Sequence, residues 1–319
     1  MQKQTIRDIQ NLNGKKVLIR CDFNVPLDGD TITDDSRITG ALPTLKFLLE
    51  NGALLIIASH LGRPKGERKP VFSLKPVAQR LSELLDQTVE LAPDCIGPDV
   101  ENMVSALTPG SALLLENVRY YKEETKNDPD FSARLAALAD CYVNDAFGTA
   151  HRAHASTEGV TRHLPSYAGL LIEKELNYFG QALGNPRRPF VAIIGGAKVS
   201  SKIEVLKSMI DKVDTLLIGG GMTYTFLKAQ GYEVGDSILE PDFIDTARDI
   251  MAYAKEKNVE LVMADDLKIA DAFDNAANTE IVSFDNIPAG WQGLDIGPET
   301  IERFKEIIAK AGTIIWNGP

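Results

Sequence analysis

The strongest constraint on this chain is a repeated pairing: a short, almost unbroken apolar run ending in a polar or glycine-rich loop, then a helical stretch. KKVLIRCDF, ALLIIASHLG, SALLLENV and DCYVNDAFG are such runs in the first half; FVAIIGG, DTLLIGGG, VELVMADD, EIVSFD and GTIIWNG follow in the second. Between them lie amphipathic segments such as SLKPVAQRLSELLD, where Leu74, Val77, Ala78, Leu81, Leu84 and Leu85 recur at helical spacing. Strands apolar on both faces, alternating with helices, imply parallel sheets covered on both sides. The sequence therefore predicts an α/β protein of two doubly wound, Rossmann-like parallel-sheet domains. At 319 residues two cores are the expected number. LIEKELNYFGQALG has helical periodicity and is broken by Gly184, Asn185 and Pro186. The expected division is thus a first domain over 1–168, a connecting helix over 169–184 and a second domain over 185–319. After Thr313–Trp316 reads as a buried strand, Asn317–Gly318–Pro319 opens a loop and no covering helix follows, so the second domain is expected to be incomplete.

Charge narrows the function classes. The net charge of −11 argues against a general nucleic-acid binder. It is uneven: residues 1–168 hold 19 Lys and Arg against 22 Asp and Glu, with all four histidines, while 169–319 hold 15 against 23. An acidic protein that keeps its arginines and histidines in one half can handle a small anion there. No run reaches the roughly 18–20 apolar residues a membrane helix needs, and the polar start lacks a secretory apolar region. Cys21, Cys95 and Cys141 are odd in number and far apart, without metal-ligand spacing. They read as free thiols in a reducing compartment, hence a cytoplasmic protein.

In an open parallel sheet, ligands bind outside the carboxyl ends of the strands. The loops predicted there carry Asp22, Asn24 and Arg37; His60, Gly62 and Arg63; Arg119; and His151, Arg152 and His154. A phosphorylated carboxylate needs several fixed cationic donors, and arginine offers planar bidentate geometry with permanent charge. Any one of these residues alone is more simply a solvated loop group, a turn or a cap. Convergence of four loops is what that simpler reading explains poorly.

In the second half, Gly195–Gly196–Ala197–Lys198–Val199–Ser200–Ser201–Lys202 links a strand to the helix IEVLKSMID, a natural anion site with outward backbone N–H groups and a favourable dipole. Lys198 and Lys202, four apart, could share one helical face. The alternative is a glycine turn made only for packing, with solvated lysines. Gly219–Gly220–Gly221–Met222 permits close approach by a flat ligand such as an adenine ring, or is a plain strand-to-helix turn. Neither stretch fits the standard NTPase or dinucleotide patterns. The Asp265–Asp266 pair reads as a helix cap, and no metal site is visible from spacing.

Taken together, RCDFNVP, SHLGRP, LLENVRYYKEE, NDAFGTAHRAHAS, IIGGAKVSSKI, LIGGGMTYTFLK, WQGLDIGP and IIWNGP resemble the phosphoglycerate kinase family, across essentially the whole chain. The resemblance implies reversible phosphoryl transfer between 1,3-bisphosphoglycerate and ADP, giving 3-phosphoglycerate and ATP. It implies 3-phosphoglycerate on the first domain, held by Asp22, Asn24, Arg37, His60, Gly62, Arg63, Arg119 and Arg152. It implies ADP or ATP, as the Mg2+ complex, on the second, with Ala197, Lys198 and Lys202 at the phosphates. Gly220, Gly221, Gly293 and Leu294 would line the adenosine pocket, and Asn317 would also touch the nucleotide. Arg37 and Lys198 would be the chief catalytic charges, and the protein a monomer whose domains close like a hinge. Ser201 stands where many members carry Asp. After WNGP the family continues with GVFE, a GGGD loop and an STGGGA motif, which by resemblance supply the metal-ligating Asp; no metal ligand is therefore expected within this chain. The rival expectations are a fragment that binds 3-phosphoglycerate without catalysing transfer, and a nicotinamide dehydrogenase. The latter is disfavoured because GxGxxG with its downstream acid is missing.

Overall fold

The computed structural model describes residues 3–318. It divides into two compact units, one up to Asn177 and one from Tyr178.

In the first unit the strands are β1 (Lys16–Arg20), β2 (Leu27–Asp28), β3 (Thr31–Ile32), β4 (Leu54–Ala58), β5 (Val89–Leu91), β6 (Ala112–Leu114), β7 (Cys141–Asn144) and β8 (Ser166–Ala168). The helices are α1 (Ser36–Glu50), α2 (Lys75–Leu85), α3 (Pro98–Ser105), α4 (Lys122–Lys126), α5 (Pro129–Ala136) and α6 (Leu170–Gly184), the last continuing into the second unit. Six strands form a parallel sheet in the order β5-β6-β4-β1-β7-β8, while β2 and β3 make a small antiparallel ribbon. The period of two in each strand sorts its side chains to opposite faces. Val17, Ile19, Leu55 and Ile57 join one core with Leu45, Leu48, Val77 and Leu81 of α1 and α2. Leu18, Ile56 and Tyr142 join the other, with Val100 and Val104 of α3 and Phe131 and Leu135 of α5. Both faces are buried, as the unbroken apolar runs require. Removing one such side chain to alanine typically costs about 2–5 kcal/mol. The crossovers run from β1 toward β4 and from β7 toward β8, so β1 and β7, which are neighbours, flank the point where the winding reverses.

In the second unit β9 (Phe190–Gly195), α7 (Ile203–Ile210), β10 (Thr215–Gly219), α8 (Met222–Ala229), α9 (Ile244–Glu256) and β11 (Glu260–Val262) repeat the pattern. The strands β12 (Asp266–Ala270), β13 (Thr279–Ser283) and β14 (Gln292–Ile296), α10 (Pro298–Lys310) and β15 (Thr313–Asn317) complete it. The parallel sheet runs β11-β10-β9-β15. Here the structure corrects the sequence reading: EIVSFD belongs to an antiparallel sheet, β13-β12-β14, outside the parallel one. No helix separates β12 from β13. Asp271 closes their connection by accepting from the backbone N–H and side-chain amide of Asn278 at 3.0 and 2.7 Å, and two strands joined so tightly pair antiparallel. Of the Asp265–Asp266 pair, Asp266 caps a helix, accepting from the N–H groups of Glu299 and Thr300, at 3.1 and 2.8 Å, at the start of α10, while Asp265 pairs with Arg303 at 2.7 Å.

Candidate active site

All eight residues expected to hold the anion line one cavity at the carboxyl edge of the first sheet. Asp22, Asn24, Arg37, His60, Gly62, Arg63, Arg119 and Arg152 are joined there by Gly148 and Thr149, around about 220 Å3. That is smaller than the roughly 300–1,000 Å3 of pockets for drug-sized ligands, and suits a compact metabolite.

The loops that carry these groups are fixed by one another. Asn24 accepts from the Gly62 N–H at 2.7 Å, and the Gly62 carbonyl accepts from Arg119 Nη1 at 3.1 Å. Gly62 has φ 62°, and a Cβ there would lie 2.5 Å from the Phe72 ring, so position 62 requires glycine. Asn117 ties the same loops by donating to the carbonyls of Leu61 and Phe72, at 2.8 and 2.9 Å, and accepts from the Arg119 N–H at 3.0 Å. Asp22 accepts from Arg37 Nη1 at 2.9 Å and from the Asn24 N–H at 3.3 Å. A Cβ on Gly148 would come within 2.5 Å of the Asp22 carboxylate, so this loop too has no room for a side chain.

Four arginines face a single carboxylate in this cavity. Arg119 is buried and its Nε has no partner among the described residues. Burial, followed by the repulsion of Arg152 and Arg20, pulls its guanidinium down to about 10. Uncompensated like charge held in a rigid, partly dry cavity is stabilised by a bound anion. His60 contributes differently from the arginines around it. Burial and then the surrounding arginines Arg20, Arg119, Arg152 and Arg37 drive its pKa far below the ordinary histidine range, so the ring is neutral. His151 is exposed and accepts from Arg152 Nε at 3.2 Å. His154 lines the adjoining pocket that shares Arg63, Arg119 and Arg152, with Nδ1 3.8 Å from Glu124.

Sequence reasoning missed the support behind this wall. Arg20 ends β1 fully buried, and Glu124 in α4 is equally buried. Ser156 links them, accepting from Arg20 Nε at 2.9 Å and donating to Glu124 at 2.6 Å. An arginine closing the otherwise apolar run VLIR was the available signal.

The second-unit residues assemble differently from expectation. Helix α7 starts only at Ile203, so Lys198 lies in the preceding loop and the two lysines share no helical face. Val199 is buried, and Ser200 donates through its N–H and hydroxyl to Glu240 at 3.0 and 2.6 Å. Those ties hold the segment as a loop. Lys202 donates to Asn317 at 2.5 Å, joining the loop after β9 to the end of β15. Gly220 and Gly221 press on the β9 loop: a Cβ would lie 2.8 Å from Gly196 N and O in one case and 3.1 Å from the Ala197 carbonyl in the other. Part of the glycine run therefore serves loop-on-loop packing. Gly293 donates its N–H to Ser237 at 2.9 Å and lies against Tyr224 of α8, while Leu294 beside it is exposed. No group of three or more His, Cys, Asp or Glu side chains suited to a metal ion occurs among the described residues, and none of their helices is long and apolar enough to cross a membrane.

Comparison with known proteins places this geometry. The family model described as phosphoglycerate kinase matches residues 6–319. A chloroplastic phosphoglycerate kinase 1 of Arabidopsis thaliana is 57% identical over 100% of this chain and 67% of its own length. A cytosolic phosphoglycerate kinase of Triticum aestivum is 57% identical over 97% of the chain and 77% of its own length. The solved phosphoglycerate kinase of Coxiella burnetii superposes with a TM-score of 0.83 at 42% identity, covering all of this chain and 80% of that one. A near-complete family match, relatives above half identity and a shared α/β architecture agree: the chain belongs to the phosphoglycerate kinase family of phosphotransferases.

Proposed function

We propose that this chain transfers a phosphoryl group between 1,3-bisphosphoglycerate and ADP, with 3-phosphoglycerate held in the first-unit cavity and the nucleotide on the second unit. The observation that carries the assignment is the cavity itself: four arginines, one carboxylate, and a buried guanidinium nitrogen without a partner among the described residues. Arginines supply charge-assisted donors to carboxylate and phosphate, and Asp22 and Asn24 orient a hydroxylated carbon skeleton. A neutral His60 offers a hydrogen bond without adding to the repulsion among the arginines.

Transfer is direct and in line. Positioning and positive charge on the equatorial oxygens provide the catalysis, with Arg37 and Lys198 as the chief charges. Ala197, Lys198 and Lys202 meet the nucleotide phosphates, Gly220, Gly221, Gly293 and Leu294 the adenosine, and Asn317 steadies Lys202. Mg2+ enters as part of the nucleotide substrate. The protein acts as a cytoplasmic monomer on small molecules, without nucleic-acid or membrane partners. Calorimetry on Arg63→Ala tests the assignment. Affinity for 3-phosphoglycerate should fall by about 1.5–3 kcal/mol, the worth of a charge-assisted hydrogen bond, with ADP affinity nearly unchanged. Equal losses for both ligands would sink the division of substrates between units.

A further inference from the structure

The His60 ring poses a question that the substrate assignment leaves open: which nitrogen carries the proton. Its Nδ1 lies 3.1 Å from Arg20 Nη2 and 3.7 Å from the Asp22 carboxylate. A guanidinium has donors and no acceptor. Proximity to Arg20 therefore requires a lone pair on Nδ1, and the single proton of the neutral ring must sit on Nε2. A proton on Nδ1 would turn toward Asp22 but collide with the guanidinium N–H.

Arg20 is itself immobilised. Its Nη1 donates to the Cys21 carbonyl and its Nε to Ser156 Oγ at 2.9 Å. That hydroxyl in turn donates a hydrogen bond to Glu124 at 2.6 Å, and Glu124 also accepts from the Ser156 N–H at 2.9 Å. The direction of every donor in the series Glu124, Ser156, Arg20, His60 is thereby set, with no member free to reverse. The charged groups around the ring come from every neighbouring loop: Arg20 ending β1, Asp22 after it, Arg37 at the start of α1, Arg119 after β6 and Arg152 after β7. Among the described residues, Arg20 is the one of these groups within hydrogen-bond distance of the ring, at 3.1 Å.

We infer that Arg20 is a positioning residue: anchored by Ser156 and Glu124, it occupies His60 Nδ1 and fixes the neutral imidazole with its proton on Nε2, the nitrogen left to donate to the anionic substrate. This rests on the reading of the cavity as the 3-phosphoglycerate site. It explains why an arginine and a glutamate are buried behind the wall without lining the cavity. The pair is retained for the geometry it imposes on a neutral donor, since burying two charges is by itself a poor source of stability.

Long-range proton–nitrogen correlation spectra of the histidine-labelled protein, with His60 assigned by His60→Gln, read the tautomer directly. The expected His60 pattern is a protonated Nε2 and an unprotonated Nδ1, unchanged from pH 5 to 8. The double variant Arg20→Met/Glu124→Gln removes both buried charges together and so leaves neither unpaired. In it the His60 signals should shift toward a mixture of tautomers, and the 3-phosphoglycerate Kd should rise about tenfold. Ser156→Ala, which keeps both charges, should produce the same changes to a smaller degree. A proton on Nδ1 in the parent, or an unchanged tautomer in a folded double variant, would overturn the inference; the parent spectrum decides this even where the variant does not fold. An Nε2 proton in the parent that moves to the mixture in the variant, with 3-phosphoglycerate binding absent in both, would support the positioning role while refuting the substrate assignment.

Discussion

Two adjacent glycines in the run Gly219–Gly220–Gly221 should respond oppositely to the same substitution. Gly220 has φ 71°, and a Cβ there would sit 2.8 Å from both N and O of Gly196. Gly196 cannot easily withdraw, because its carbonyl accepts the Met222 N–H at 2.9 Å and the preceding Gly195 is paired with Gly219 across β9 and β10. The left-handed conformation costs a side-chain-bearing residue roughly 1–2 kcal/mol, and forcing a methyl against backbone adds about 1–3 kcal/mol. Gly220→Ala should therefore destabilise the second unit by about 2–5 kcal/mol. A Cβ on Gly219 meets nothing within 4 Å and its φ is unexceptional. Gly219→Ala should be neutral, or stabilising by up to about 1 kcal/mol through the stiffer unfolded chain.

Trp291 and Trp316 are the chain's two tryptophans and both lie in the second unit, so tryptophan fluorescence during urea unfolding isolates that unit. With a slope of about 1–3 kcal/mol per molar urea, Gly220→Ala should lower the midpoint by on the order of 1–2 M, with Gly219→Ala close to the parent. Equal losses for the two variants, or none for Gly220→Ala, would refute the claim that loop contact, and not only ligand approach, demands the glycine.

Asp145 is 1% exposed and accepts from the N–H of Leu171, at 2.9 Å, at the start of α6; burial raises its carboxyl to about 6. A folded pKa above the unfolded one adds stability that is present below about pH 4 and lost as the pH rises through 6. Against an ordinary value of 3.8 this amounts to about 3 kcal/mol. Relative to the parent, Asp145→Asn should gain about that much stability between pH 4 and 7, measured by hydrogen exchange of β1 and β7, and parallel pH profiles would contradict it. Lys198→Ala should reduce turnover roughly 100–1000-fold, as loss of a transition-state donor does, with 3-phosphoglycerate affinity unchanged in a coupled assay and calorimetry; a turnover within a few-fold of the parent would remove Lys198 from the chemistry.

What the sequence disclosed follows from the range of the forces involved. Apolar runs reported the parallel strands because burial on both faces leaves no other pattern, and the arginines in the segments that follow them reported the cavity because each segment leaves the carboxyl end of a different strand. EIVSFD was placed in the wrong sheet because a short apolar run records burial but says nothing of its partner's direction. The four-residue spacing of Lys198 and Lys202 allows a shared helical face and is visible locally, whereas the bonds from Ser200 to Glu240 that hold the segment as a loop join residues far apart in the chain. The same reason hid Glu124, Ser156 and Arg20. A buried ion needs a partner, and nothing local to either residue says where that partner is. The charges that touch an anion must reach solvent at loop ends and can be read one at a time. The charges that orient those groups are compensated inside the fold, so they become visible only once the chain has brought residues 20, 124 and 156 together.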